Sequence, residues 1–131
     1  MSIIKPRALP AGGTIAVIAP ASPVPKEQLE KSVGQLSRFG FQVKLGESVG
    51  KDYGYLSGRD ELRAKDVNQM FADPDVDAII CLRGGYGTPR ILDLLDYSLI
   101  RKNPKIFVGY SDITALHQAI HKNTGLVTFH G

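Results

Sequence analysis

Asp77-Ala78-Ile79-Ile80-Cys81-Leu82-Arg83-Gly84-Gly85-Tyr86-Gly87 is the stretch on which the fold turns. From Asp77 to Leu82 the chain reads as a strand. Its apolar residues run without interruption, which is the pattern of a strand buried on both faces. A glycine-rich loop follows at once. Pro89 then suits the first turn of a helix carrying Ile91, Leu92, Leu94 and Leu95.

The same unit recurs on either side. Upstream, Thr14 to Ala19 is a short apolar run stopped by Pro20, and Ala21-Ser22-Pro23-Val24-Pro25 is a breaker loop. Lys26 to Phe39 reads as a helix with Leu29, Val33 and Leu36 on one face, ended by Gly40. Phe41 to Leu45 is a second strand, and Gly46 to Gly58 is a long surface loop. Ser57 or Asp60 caps a helix through Phe71, whose apolar face holds Ala64, Val67, Met70 and Phe71. Downstream, Lys105 to Tyr110 is a strand, Ile113 to Lys122 a helix, and Leu126 to Phe129 a strand. Strict alternation of apolar strands and helices predicts an α/β fold: a parallel five-stranded sheet, order 2-1-3-4-5, with helices on both faces.

Composition sets the outer limits. The 131 residues suit one domain, and 43% hydrophobic with 22% charged residues is ordinary for a globular chain. Sixteen basic against thirteen acidic residues leave a charge of +3, too small and scattered for a nucleic-acid surface. One cysteine excludes an internal disulfide and a multi-cysteine metal cage. No apolar run approaches the length of roughly 18 residues that a membrane span needs. Residues 1–7 lack the apolar segment of a secretory signal. The expectation is a soluble, cytoplasmic protein. The chain stops at His130-Gly131, directly after a strand, which suggests a cut at a domain boundary.

In an open parallel sheet, ligands bind beyond the carboxyl ends of the strands. Two segments there stand out. Gly109-Tyr110-Ser111-Asp112 places a serine on a tight strand-to-helix turn, half of a nucleophile elbow. The alternative is that Ser111 or Asp112 caps the helix. Arg83-Gly84-Gly85-Tyr86-Gly87 lets the backbone turn its N–H groups toward a ligand, as a phosphate cradle, an oxyanion hole or a plain turn. It is neither G-x-G-x-x-G nor a P-loop. Cys81 reads as a buried, inert thiol. Ser22 reads as a cap for the segment after it. Tyr53 and Tyr55 either face a substrate or pin their loop. His117 and His121 have metal-capable spacing but no third ligand. Both should lie along the helix flank, displaced from Ser111 by about 9 and 15 Å at 1.5 Å per residue. His130 could lie at the correct sheet end.

Taken in order, these motifs resemble the N-terminal half of the serine LD-carboxypeptidases, a family that includes muramoyltetrapeptide carboxypeptidases and microcin-immunity peptidases. The resemblance runs from Leu9-Pro10-Ala11-Gly12-Gly13-Thr14 through Tyr55-Leu56-Ser57-Gly58-Arg59-Asp60 and Phe71-Ala72-Asp73-Pro74 to Arg83-Gly84-Gly85-Tyr86-Gly87 and Gly109-Tyr110-Ser111-Asp112-Ile113-Thr114. It implies a flavodoxin-like three-layer domain over residues 1–131. It implies Ser111 as nucleophile, with the N–H groups of Asp112 and of Gly84 or Gly85 as the oxyanion hole. It implies a catalytic Glu and His in a second domain outside this sequence, and no cofactor or metal. The substrate implied is a murein tetrapeptide, or a related peptide with a C-terminal D-residue, acted on in the cytoplasm by a homodimer. The other reading is a flavodoxin-like module binding a phosphate-bearing small molecule at Arg83–Gly87.

Overall fold

The computed structural model describes residues 2–131. Its strands are β1 (Thr14–Ile18), β2 (Gln42–Leu45), β3 (Ala78–Cys81), β4 (Ile106–Gly109) and β5 (Phe129–His130). They form one sheet in the order β2-β1-β3-β4-β5, and every neighbouring pair is parallel. The α/β class and the 2-1-3-4-5 order read from the sequence are therefore the observed ones. Helices α1 (Lys26–Arg38), α2 (Asp60–Ala72), α3 (Tyr97–Lys102) and α4 (Thr114–Thr124) make the crossovers, joined by a 3-10 helix over Thr88–Leu94.

The apolar strands bury both faces because successive side chains point to opposite sides. Ala16, Ile18, Ile79, Cys81 and Phe107 face a large core built with Val67 and Phe71 of α2, Ile100 of α3, and Leu116 and Ile120 of α4. The rings of Phe71 and Phe107 stack with centroids 5.8 Å apart. The opposite face is thinner. Ile15, Val17 and Ala78 are covered there with the help of Leu36 of α1, and no residue of α1 is itself fully buried.

Several boundaries depart from the sequence reading. The predicted strand at Leu126–Phe129 is displaced to Phe129–His130. Ile4 takes the backbone around Leu126 first: Ile4 N–H donates to Gly125 O and Val127 N–H donates to Ile4 O, each at 2.8 Å. The helix expected from Pro89 is a 3-10 helix that stops at Leu94. A separate α3 then starts on Asp96, whose carboxylate accepts the Leu99 N–H at 3.0 Å. Neither Ser57 nor Asp60 caps α2 with its side chain. The Ser57 hydroxyl instead donates to Ser48 O at 2.5 Å, across the 46–58 loop.

Phe107 is fully buried at the centre of the larger core. Phe107→Ala should lower the unfolding free energy by about 3–5 kcal/mol through lost burial and the cavity left behind. Equilibrium urea unfolding checks this.

Candidate active site

β3 and β4 are hydrogen-bonded neighbours, with Ile79 opposite Phe107 and Ile80 opposite Val108. The loops that leave their carboxyl ends therefore emerge side by side. After β4, Tyr110 is extended, and Ser111 turns to φ 59°. Among the described residues it is the only non-glycine residue with positive φ. That conformation costs an L-residue about 1–3 kcal/mol and persists only where its surroundings enforce it. A 3-10 turn over Ser111–Ile113 then leads into α4. Neither Ser111 nor Asp112 makes a side-chain cap to the 3-10 turn or to α4, so the capping alternative is not what the structure contains. Ser111 is exposed.

The glycine loop after β3 lies against this turn. A Cβ on Gly84 would sit 2.7 Å from Ser111 Cβ, 2.8 Å from Asp112 N and 3.0 Å from Ser111 Oγ. Only a residue without a side chain allows that approach. Hydrogen bonds hold the loop on both flanks. Ser22 N–H donates to Gly84 O at 3.2 Å, and Ser22 Oγ accepts the Tyr86 N–H at 3.0 Å. Thr88 N–H donates to Asp112 Oδ2 at 2.9 Å, and Thr88 Oγ1 donates to Asp112 O at 2.5 Å. Between these pins, the N–H groups of Gly84, Gly85 and Asp112 meet no acceptor among the described residues. Unpaired donors beside an exposed, strained serine are what stabilisation of a tetrahedral oxyanion requires.

Ser22 thus corrects its sequence reading. It does not serve the segment after it but braces a loop 64 residues away. Nothing in the sequence marks Thr88 or Arg63 as part of this site. The spacing of Arg63 on α2 resembles that of any surface arginine, yet it is fully buried beneath these loops.

The His117 ring turns inward against β4. Nε2 lies 2.8 Å from Gly109 O and Nδ1 2.7 Å from Thr128 Oγ1. A carbonyl only accepts, so a neutral His117 carries its proton on Nε2 and accepts the Thr128 hydroxyl at Nδ1. Both nitrogens are engaged, which leaves the ring no lone pair for Ser111. His121 Nδ1 is 3.0 Å from Leu126 O. His130 pairs in register with Gly109, at the sheet end the sequence allowed, and among the described residues no carboxylate bonds to it. No cluster of three metal-ligating side chains occurs among the described residues. Tyr53, Tyr55, Tyr86 and Tyr110 are all exposed, and Arg59 lies over the Tyr53 ring at 5.4 Å.

A cleft of about 510 Å³ opens at the other end of the sheet, among Lys5, Arg7, Pro74, Asp77 and Lys105. Two of its polar groups are committed to the backbone. Lys105 Nζ donates to the carbonyls of Met70 and Asp73, and Asp77 accepts the Thr14 N–H.

Residues 15–131 match the sequence profile of the LD-carboxypeptidase N-terminal domain. The "Probable murein peptide carboxypeptidase" of Bacillus subtilis is 55% identical over 127 residues, covering 97% of this chain and 40% of the relative. The "Murein tetrapeptide carboxypeptidase" of Pseudomonas aeruginosa is 40% identical over 123 residues, covering 93% of this chain and 40% of the relative. The crystal structure of an MccF-like protein from Bacillus anthracis superposes with a TM-score of 0.92 at 40% identity, over 98% of this chain and 40% of that one. The chain spans about two-fifths of the length of these curated relatives.

Gly84→Ala should force the Ser111–Asp112 turn aside, because the new methyl meets backbone rather than a flexible side-chain end. The expected cost is about 1–3 kcal/mol by urea unfolding, with amide shift changes confined to the two loops. Cys81 is fully buried, and burial pushes its thiol far up. A thiol-titrating disulfide reagent should find no reactive group in the native protein and one after unfolding in urea.

Proposed function

The chain belongs to the LD-carboxypeptidase family, and from that premise we propose that it is the nucleophile-bearing N-terminal domain of a serine peptidase. The reaction is hydrolysis of the amide between an L-centre and a C-terminal D-residue, with D-Ala leaving a murein tetrapeptide. The observation that carries this reading is the left-handed Ser111, packed on Gly84 beside three free N–H groups. The murein-peptide names of two relatives support the substrate class.

In this mechanism Ser111 Oγ attacks the carbonyl carbon of the L-residue while a histidine base takes the hydroxyl proton. The negative oxygen of the tetrahedral intermediate accepts hydrogen bonds from the Asp112 N–H and from Gly84 or Gly85. The C–N bond breaks, and the base returns its proton to the leaving amine. Water then attacks the acyl ester by the same route and frees Ser111. The engagement of both His117 nitrogens agrees with a base and its orienting Glu lying outside these residues. No step needs a metal. We place the reaction in the cytoplasm, on recycled wall peptides, and assign the full-length protein as a homodimer. No separate observation favours a phosphate-binding role for Arg83–Gly87.

In the full-length protein, Ser111→Ala should abolish D-Ala release from an L,D-tetrapeptide while the circular dichroism spectrum and melting temperature stay near wild type. Undiminished release would overturn the assignment. Residues 1–131 alone should release no D-Ala. Robust release that disappears in His130→Ala would place the base in this half of the protein.

A further inference from the structure

Arg63 projects from the first turn of α2 and is completely buried. Taking a guanidinium out of water costs several kcal/mol, and a well-packed apolar side chain often serves stability as well or better. The explanation for an arginine here lies in where its donors go. Nε donates to Gly58 O at 3.2 Å, in the loop entering α2. Nη1 donates to Pro20 O at 2.8 Å, just beyond β1, and to Gly87 O at 3.0 Å, at the end of the glycine loop. Nη2 donates to the Asp60 carboxylate, which Arg90 also grips from the solvent side at 3.1 Å. One side chain thus joins three loops at the sheet end that carries Ser111.

The two bonds from Nη1 bracket the free N–H groups. Pro20 is two residues before Ser22, which holds Gly84 O and the Tyr86 N–H. Gly87 is followed by Thr88, which holds Asp112. Gly87 sits at φ 109°, and a Cβ there would lie 2.9 Å from Arg63 Nη1, so the loop can approach the guanidinium only as glycine. We propose that Arg63 is a positioning residue for the oxyanion site: it fixes the separation of the β1 loop and the glycine loop, and so the direction of the Gly84 and Gly85 N–H groups relative to Ser111. This rests on the reading of Ser111 as nucleophile. Burial pushes the Arg63 guanidinium below its ordinary value, with the Asp60 carboxylate acting in the opposite direction, and an arginine side chain stays protonated in proteins.

A lysine has three donors on one nitrogen and cannot reach carbonyls in three directions. Oxyanion contacts matter in the transition state and little in the ground state, so their misplacement lowers kcat and spares KM. In the full-length protein, with active serines counted by end-point fluorophosphonate titration, Arg63→Lys should lower kcat per titrated serine about tenfold to a hundredfold, with KM within about threefold. Affinity for a peptide boronic acid, which forms a tetrahedral adduct on Ser111, should fall by the same factor as kcat/KM. A purely structural role would reduce the number of titratable serines and leave both per-site quantities unchanged, and that result would overturn the proposal. Arg63→Gln keeps one amide donor in place of the fork and cannot join the Pro20 and Gly87 carbonyls to Gly58 and Asp60 at once, so it carries the test if Arg63→Lys does not fold. The same loss of kcat and boronate affinity supports the proposal, and wild-type values overturn it. Turnover surviving in Ser111→Ala would sink the nucleophile reading and this inference with it. A dead Ser111→Ala beside an unimpaired Arg63→Lys sinks this inference alone.

Discussion

No methyl group fits between Gly84 and the Ser111–Asp112 peptide, and the arrangement of this end of the sheet depends on that contact. It requires β3 and β4 to be neighbours, so that their loops leave from the same place. It requires glycine at the start of the loop. It also requires the chain after β4 to turn within one residue, which is what the positive φ of Ser111 accomplishes. The flanking hydrogen bonds from Ser22 and Thr88 hold the two loops at contact distance. What remains between them are the N–H groups of Gly84, Gly85 and Asp112, which meet no acceptor among the described residues, in the two loops that pack at Gly84 and the exposed Ser111.

Much of this was legible in the sequence. β1, β3 and β4 announce themselves as unbroken apolar runs, because a strand covered on both faces has no polar side to show. The alternation with helices then leaves few topologies, and 2-1-3-4-5 is the observed one. Gly84, Gly85, Ser111 and Asp112 lie together, as loops at the ends of adjacent strands must. The weaker readings share a cause. Ser57, Ser22 and Asp60 have side chains that cap helices in local context, but here Ser22 bonds to the glycine loop, Ser57 to a carbonyl of its own loop and Asp60 to the side chains of Arg63 and Arg90, and local capping preference carries no information about those partners. The β5 boundary moved because Ile4, more than a hundred residues earlier, claims the backbone next to Leu126. Arg63 was invisible for the plainest reason: its partners are main-chain carbonyls, which every residue has.

α2 links the well-packed face of the sheet to the site. It has no side-chain cap at its N-terminus. Two buried cations anchor it instead, each bonded to carbonyls. Arg63 reaches from its first turn to the loops above, and Lys105 donates to the Met70 and Asp73 carbonyls at its last turn. Carbonyls left open at a helix end must find donors from outside the helix, and here the residue just before β4 supplies them. Packing of Ala64, Val67 and Phe71 into the larger core holds the helix body between these two points. The sheet end that carries the loops is therefore registered to the core through one rigid element rather than through the loops alone.

The backbone of Ser111 sets chemistry against stability at a single position. Glycine would adopt φ 59° without strain and would recover about 1 kcal/mol or more, but it has no hydroxyl. Asparagine and aspartate tolerate the left-handed region better than serine does, and neither carries a hydroxyl. Random substitution at this codon therefore has a downhill direction, toward a sturdier protein without the hydroxyl. A lineage that keeps serine there is under continuing selection for what the hydroxyl does. Descendants released from that selection should drift to glycine or asparagine at this position before the surrounding fold decays.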